Sequence, residues 1–258
     1  MRSFLYTSLL VIISSLAFGQ QDTLGFTDKK EATNQMVNGV KEGRWLEYLD
    51  VEGMEMESAT NATYYNLVVY KAGKPYGILN RYYISGKLES RTPYKNGVFN
   101  GLEKDYYESG KLKSEEPFKD GEFNGVIKSY YENGKLESEM PANKQGRNGV
   151  LKDYYESGKL KSESPYTNNR LTGVAKEYYE NGKLKSDCTY NLDKPTSSNN
   201  VYYESGKIKS CTKYTLEGNS IDTYREYYEN GVLKTETVYN RGIVISNKSY
   251  DEKGNEIK

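Results

Sequence analysis

The side chains with the most chemistry to offer this chain are tyrosines and carboxylates, and both recur at a fixed interval. Of 258 residues 27 are tyrosine, and many fall in doublets: Tyr82-Tyr83, Tyr106-Tyr107, Tyr130-Tyr131, Tyr154-Tyr155, Tyr178-Tyr179, Tyr202-Tyr203 and Tyr227-Tyr228. Successive doublets lie 24 residues apart, the last step being 25. The second members, Tyr83, Tyr107, Tyr131, Tyr155, Tyr179, Tyr203 and Tyr228, form the candidate binding surface. Aromatic rings are enriched at contact surfaces, and a repeat sets them out in a row. The competing reading is that the rings pack across strands and only stabilise the sheet. Glu108, Glu132, Glu156 and Glu180 keep the same interval, which describes a solvated structural row and not a single acid–base pair. The chain has no histidine, so the usual general base and transition-metal ligand are missing. The Asn-Gly links lack the carboxylate density of a calcium loop, and no nucleophile motif, phosphate loop or zinc spacing is visible. The expectation is a non-enzymatic protein with no catalytic residue, no cofactor and no metal.

Composition narrows the partners. Lys+Arg and Asp+Glu both number 36, and nucleic-acid binding calls for a basic excess or patch. Hydrophobic residues make up 36%, charged residues 28%, and mean hydropathy is −0.86. Such values suit disorder, but disordered chains are poor in aromatics. Tyrosine, with an apolar body and a polar tip, suits a thin, wet core.

The elements that must position these residues follow from the repeat. After each doublet comes a turn and an apolar residue, as in Glu132-Asn133-Gly134-Lys135-Leu136. Asn-Gly is the signature of a two-residue type I′ turn with positive φ at both central positions, and it puts Gly86, Gly110, Gly134, Gly158, Gly182, Gly206 and Gly231 at structural turns. Glu132 and Lys135 would then face each other across the hairpin, as would the equivalent pairs elsewhere. The returning strand alternates: Leu160, Ser162, Ser164 and Tyr166 on one face, Lys161, Glu163 and Pro165 on the other. The proline predicts fraying or a bulge. On the outgoing strand, Ile78, Leu102, Val126, Val150 and Val174 share a face with the first tyrosine of each doublet. That first tyrosine is read as inward and the second as outward. Cys188 and Cys211, at different offsets from their turns, are expected on opposite faces, which disfavours a disulfide. Short glycine-rich links such as Lys95-Asn96-Gly97-Val98 make neighbours of successive hairpins. The fold class is therefore all-β: an elongated antiparallel meander of about eight tandem hairpins of about 24 residues each.

The beginning reads differently. Arg2, the mostly apolar stretch from Leu5 to Phe18, and Ala17-Phe18-Gly19 have the form of a signal peptide. The expected division is a signal peptide at residues 1–19, a linker at 20–37 and the repeat array at 38–258. Such a protein is exported: periplasmic, at the cell surface or secreted.

The unit Tyr-Tyr-Glu-(Asn/Ser)-Gly-Lys-Leu, followed by a link ending in Asn-Gly, resembles the MORN-repeat variant, many bacterial members of which are catalogued as antitoxins of the YwqK type. The resemblance implies β-hairpin scaffolds for protein or cell-envelope contact, including peripheral membrane contact, and the antitoxin label implies neutralising a toxin by binding it. A fainter resemblance to the aromatic hairpins of choline- and glucan-binding repeats implies carbohydrate binding, although those rely on tryptophan and this chain has only Trp45.

Overall fold

A computed structural model describes residues 25–214 and 221–257. The signal peptide expected at residues 1–19 lies outside the described residues, as does the linker up to residue 24. The chain forms two compact units, residues 1–125 and 126–258. In both, the described strands pair antiparallel with their neighbours, and no α-helix occurs among the described residues. No helix of the described residues is long and apolar enough to cross a membrane.

The repeat of Gly149–Leu171 shows the common plan. An outgoing strand, Gly149–Tyr154, is followed by a returning strand, Leu160–Thr167, and a two-residue link strand, Arg170–Leu171. The link strand folds back on the end of the returning strand, and the next outgoing strand, Gly173–Tyr178, pairs with its middle. The same triplet recurs as Gly101–Tyr106, Leu112–Lys119 and Glu122–Phe123 in the first unit, and as Gly173–Tyr178, Leu184–Asn191 and Lys194–Pro195 in the second.

The turn after each doublet is not the two-residue type I′ turn that the sequence suggests. In the doublet turn, Gly134 N–H donates to Tyr131 O and Tyr131 N–H donates to Lys135 O. Gly134 has φ 86° while Asn133 does not take positive φ. This is a three-residue type I turn closed by a left-handed glycine bulge. Asn133 stays right-handed because its Oδ1 accepts from Lys135 N–H at 2.9 Å. Glu132 therefore sits within the turn, and Lys135 stands opposite Tyr131. The type I′ turns are in the links: Asn96 and Gly97 have φ 53° and 84°, Asp120 and Gly121 52° and 86°. Gly86, Gly110, Gly134, Gly158, Gly182, Gly206 and Gly231 all have positive φ.

The prolines do not fray the strand. Val150 pairs with Pro165 inside a continuous ladder. The side of the proline that lacks an N–H faces the following repeat, where a glycine stands. A Cβ built on Gly173, at φ 122°, would lie 2.8 Å from Pro165 Cγ, and one on Gly149 would lie 2.7 Å from Pro141 Cβ. Proline and glycine change together. Where Thr189 replaces the proline, Ser197 replaces the glycine, and Thr189 N–H donates to Ser197 Oγ at 3.0 Å.

The first unit holds the only extensive dry core among the described residues. Phe26, Tyr65, Leu67 and Val69 cluster there, with Leu67 0% and Phe26 3% exposed. The segment read as a linker takes part in this packing from Gly25 on. Asn80 Nδ2 donates to Phe26 O at 2.9 Å, Asn34 and Leu46 exchange two hydrogen bonds, Arg44 pairs with Glu31 at 2.7 Å, and Gln35–Val37 adds a strand to Val40–Leu49.

Candidate binding face

The cross-strand register sorts each repeat into two faces. Lys152 lies opposite Glu163 and Val150 opposite Pro165, whereas Leu151 lies opposite Ser164 and Asp153 opposite Ser162. One face thus carries Val, Pro, Lys, Glu and the first tyrosine. Tyr154 OH donates to Glu139 at 2.9 Å and Tyr178 OH to Glu163 at 3.0 Å. Burial, together with contact with these carboxylates, raises both phenol pKa values, that of Tyr154 to about 12. The valines of this face are open to solvent, Val150 at 40% and Val174 at 46%. The first tyrosine is therefore not on an apolar inner face shared with Leu160 and Ser162. Alternation along single strands left this choice open, and the pairing register decides it.

The opposite face carries the serines, the acids and the link-side aromatics. Ser162 Oγ donates to Asp153 at 2.6 Å, and Ser114 Oγ to Asp105 at 2.7 Å in the first unit. Along its link side in the first unit, Tyr94, Phe99, Phe118 and Phe123 form a chain of rings with centroids 4.7–5.1 Å apart. In the second unit the corresponding side carries Tyr166 and Tyr190, with the Arg147 guanidinium 5.3 Å from the centre of the Tyr166 ring.

All seven second tyrosines are half-buried. Their hydroxyls bind repeat to repeat. Tyr131 OH donates to Tyr154 O at 2.6 Å, Tyr155 to Tyr178 O at 2.7 Å, Tyr179 to Tyr202 O at 2.6 Å, Tyr203 to Tyr227 O at 2.7 Å and Tyr228 to Tyr250 O at 3.0 Å. In the first unit the Tyr83 ring lies 5.5 Å from that of Tyr64. Each ladder tyrosine named in these bonds has its polar end committed to the scaffold, so only the ring remains to meet a partner. Tyr155 borders a hollow of about 200 Å³ with Asp153, Ser162 and Glu177. These three residues also line a larger cavity of about 450 Å³ that reaches Tyr166 and Tyr190. Leu151, Leu171, Ala175 and Cys188 give that cavity its apolar floor. The link-side tyrosines were visible in the strand alternation, but only the register places them on the same face as the acids.

Cys188 pairs in register with Ala175 on this face, Cys211 with Asn200, and both thiols are free. Burial pushes the Cys188 thiol up from its ordinary value. Among the described residues no group of three or more His, Cys, Asp or Glu side chains is arranged to hold a metal ion.

A family model described as "MORN repeat variant" matches residues 99–120, 123–144, 147–168, 171–192 and 223–241. No curated protein matches the chain. Two solved structures show a faint likeness. One, described as "Crystal Structure of TcdB2-TccC3", is 11% identical over 77% of this chain, with a TM-score of 0.16. The other, "Crystal Structure of TcdB2-TccC3-Cdc42", is 12% identical over 85% of it, with a TM-score of 0.15. This chain spans 15% of the first and 16% of the second.

Proposed function

The chain belongs to the MORN repeat variant family, and from that premise we propose that it is an exported, non-enzymatic scaffold that binds a protein or cell-envelope partner through its tyrosine-rich face. One observation carries the reading: a single face presents half-buried rings on both flanks of a hollowed row of acids and serines, repeated at a constant interval. Export is supported by the basic, apolar and small-residue succession of residues 2–19. The absence of histidine and the even spacing of the carboxylates favour binding over catalysis.

The test is capture from envelope extracts by the chain starting at Gln20, beside a variant with Tyr155, Tyr166, Tyr179 and Tyr190 changed to Val. The β signal in circular dichroism checks that the variant folds. A partner retained by the unaltered chain and lost by the folded variant supports the reading. Equal retention by both moves the site elsewhere. Accumulation in the cytoplasm, with binding to a toxin encoded beside it, replaces this reading with the antitoxin one implied by the family resemblance.

A further inference from the structure

On the link side of each unit, a turn caps the link strand one repeat back. In the first unit Gly73 N–H donates to Lys41 O, Gly97 N–H to Pro75 O and Gly121 N–H to Phe99 O. In the second, Asn169 N–H donates to Arg147 O and Asp193 N–H to Leu171 O. These bonds measure 2.8–3.0 Å, and in each the donor is the second residue of a two-residue turn. The turn also rests on the first residue of the earlier link: a Cβ on Gly73 would lie 3.2 Å from Val40 Cβ, and one on Gly97 3.2 Å from Lys74 Cβ.

The described residues include a turn and a link strand that lack such mates. The turn is Asn38-Gly39. Its φ values, 49° and 80°, match the 49° and 74° of Ala72-Gly73. Yet a Cβ on Gly39 would meet nothing within 4 Å, and the Gly39 N–H has no backbone acceptor among the described residues. The strand before it is equally open. Met36 pairs with Lys41 as Tyr166 pairs with Leu171. Tyr166 also pairs on its other side with Gly149, at the start of an outgoing strand, and Met36 has no such neighbour among the described residues.

The link strand is the beginning of Ile243–Tyr250. On one side this strand pairs with Leu233–Asn240, and on the other only through Ser249 and Tyr250. Asn240 and Ile243 close the preceding turn as Thr167 and Arg170 do, so Val244 stands where Leu171 stands. There the backbone N–H and C=O point away from the returning strand. Leu171 O uses that direction to accept from Asp193, whereas Val244 O has no backbone donor among the described residues. The side chains agree. Ile243 and Ile245 are 70% and 62% exposed, and Met36 is 55% exposed. Neither 35–40 nor 242–247 contains a charged residue or a proline, the usual guards of an open edge.

We propose that copies of this chain associate head to tail, hairpin 35–40 of one copy docking on the open edge of Ile243–Tyr250 of the next. Gly39 N–H donates to Val244 O, Gly39 rests on Ile243, and Met36 lies beside Ile245. A second copy is singled out because this contact already exists inside each unit, as the one between successive repeats. The two surfaces differ, so each pair of copies still carries one of each, and the contact is heterologous. Neither surface contains a tyrosine of the candidate binding face, so the proposal stands apart from the scaffold reading.

The test is sedimentation of the chain starting at Gln20, from about 1 μM to about 0.5 mM. Reductant is present so that the free thiols of Cys188 and Cys211 do not link copies. Two variants are run beside it, Met36→Lys and Ile245→Lys, each placing a charge in one of the two surfaces. Both side chains are exposed, so an unchanged circular dichroism spectrum is expected; a lysine variant that misfolds is replaced by its threonine counterpart and read in the same way. The unaltered chain should gain mass with concentration, and each variant alone should associate about tenfold more weakly or worse. An equimolar mixture of the two variants should form a pair and nothing larger, because each supplies the surface that the other lacks. An unaltered chain that stays monomeric throughout overturns the proposal. So does a variant that dimerises alone as well as the unaltered chain, which would mean that like surfaces meet. A mixture no heavier than its separate parts overturns it too.

Discussion

The N-terminal end of the first unit and the regular repeats of the second are built from the same hairpin but hold themselves together differently. Around Tyr64–Lys71 and Lys74–Tyr83 the face that holds the first tyrosine is dry: Leu67, Val69 and Tyr65 pack under Phe26, and Asn80, 1% exposed, is bonded to the Phe26 carbonyl. In the second unit the positions of Leu67 and Asn80 are taken by residues such as Glu139 and Lys152, which form an ion pair at 3.5 Å, and the neighbouring valines are open to water. Burial stabilises the first region. The second relies on contacts that each repeat makes with the next: tyrosine hydroxyls along one edge, link turns along the other. Asn169, for example, accepts from Arg147 N–H at 2.8 Å and donates its own N–H to Arg147 O at 3.0 Å. A lone hairpin is marginal in water, so a repeat without a core must borrow stability from its neighbours.

The largest expected effect tests the burial side. Phe26→Ala empties the centre of the dry cluster, and phenylalanine truncations in such sites cost about 3–5 kcal/mol. Hydrogen exchange should show protection lost across Tyr64–Tyr83 and kept at Gly149–Tyr190. Uniform loss in both places would mean that the two regions do not differ as described.

Next in size is Gly173→Ala. The alanine would have to hold φ 122° with its Cβ 2.8 Å from Pro165 Cγ. Backbone strain and overpacking together should cost about 2–4 kcal/mol. Adding Pro165→Ala relieves the clash but not the strain, so the double variant should recover part of the loss in urea melts. Full additivity of the two changes would break the account of paired proline and glycine.

How much of this was legible beforehand depended on the range of the contact involved. Repeat length, strand alternation and the glycine turns follow from local spacing, and the structure holds them. The turn types did not follow, because Asn133-Gly134 and Asn96-Gly97 share a dipeptide while the chain around them sets different loop lengths. Leu192 takes φ 50° in a link turn although leucine has no preference for it. It is held there because Asp193 accepts from Leu171 N–H, one repeat back, at 2.7 Å. That bond and one from Arg170 hold the Asp193 carboxyl below its ordinary value. Phe26 was unreadable for the same reason, since its carbonyl's partner, Asn80, lies 54 residues along the chain in a segment of unrelated sequence. In the candidate site the tyrosines were plain from their interval, but the face they share with the acids came only from pairing register.

A smaller effect comes from a repeat in the first unit that departs from the pattern. Glu103 lies directly opposite Glu116, where the equivalent positions elsewhere hold residues such as Leu151 and Ser164. Burial raises both carboxyls above their ordinary range, Glu116 further through Glu103; Glu103 also accepts from Thr92 Oγ1, which opposes its rise. The folded chain thus holds these protons more tightly than the unfolded chain. Their stabilising contribution is complete below the unfolded value, about 4.3, and is lost as pH rises through the raised folded values. Urea midpoints should therefore decline from about pH 4.5 toward neutrality, and Glu116→Gln should flatten that decline. A slope unchanged by the substitution would assign the effect to other groups.

The smallest change addresses the ladder itself. Tyr179→Phe keeps the ring and deletes only the hydroxyl that donates to Tyr202 O at 2.6 Å. The carbonyl left behind is half-buried, so the loss should be about 0.5–1.5 kcal/mol. Tyr131→Phe, Tyr155→Phe and Tyr203→Phe should each cost a similar amount, because they break the same bond. Tyr83→Phe preserves the ring contact with Tyr64 beside the dry core and should cost less. Binding offers the complementary readout. If the ladder meets a partner through its rings and the scaffold through its hydroxyls, the Phe variants lose stability and keep affinity. Phe variants that keep stability and lose affinity would reverse that division, making the hydroxyls the contact and leaving the repeats to be held by their link turns.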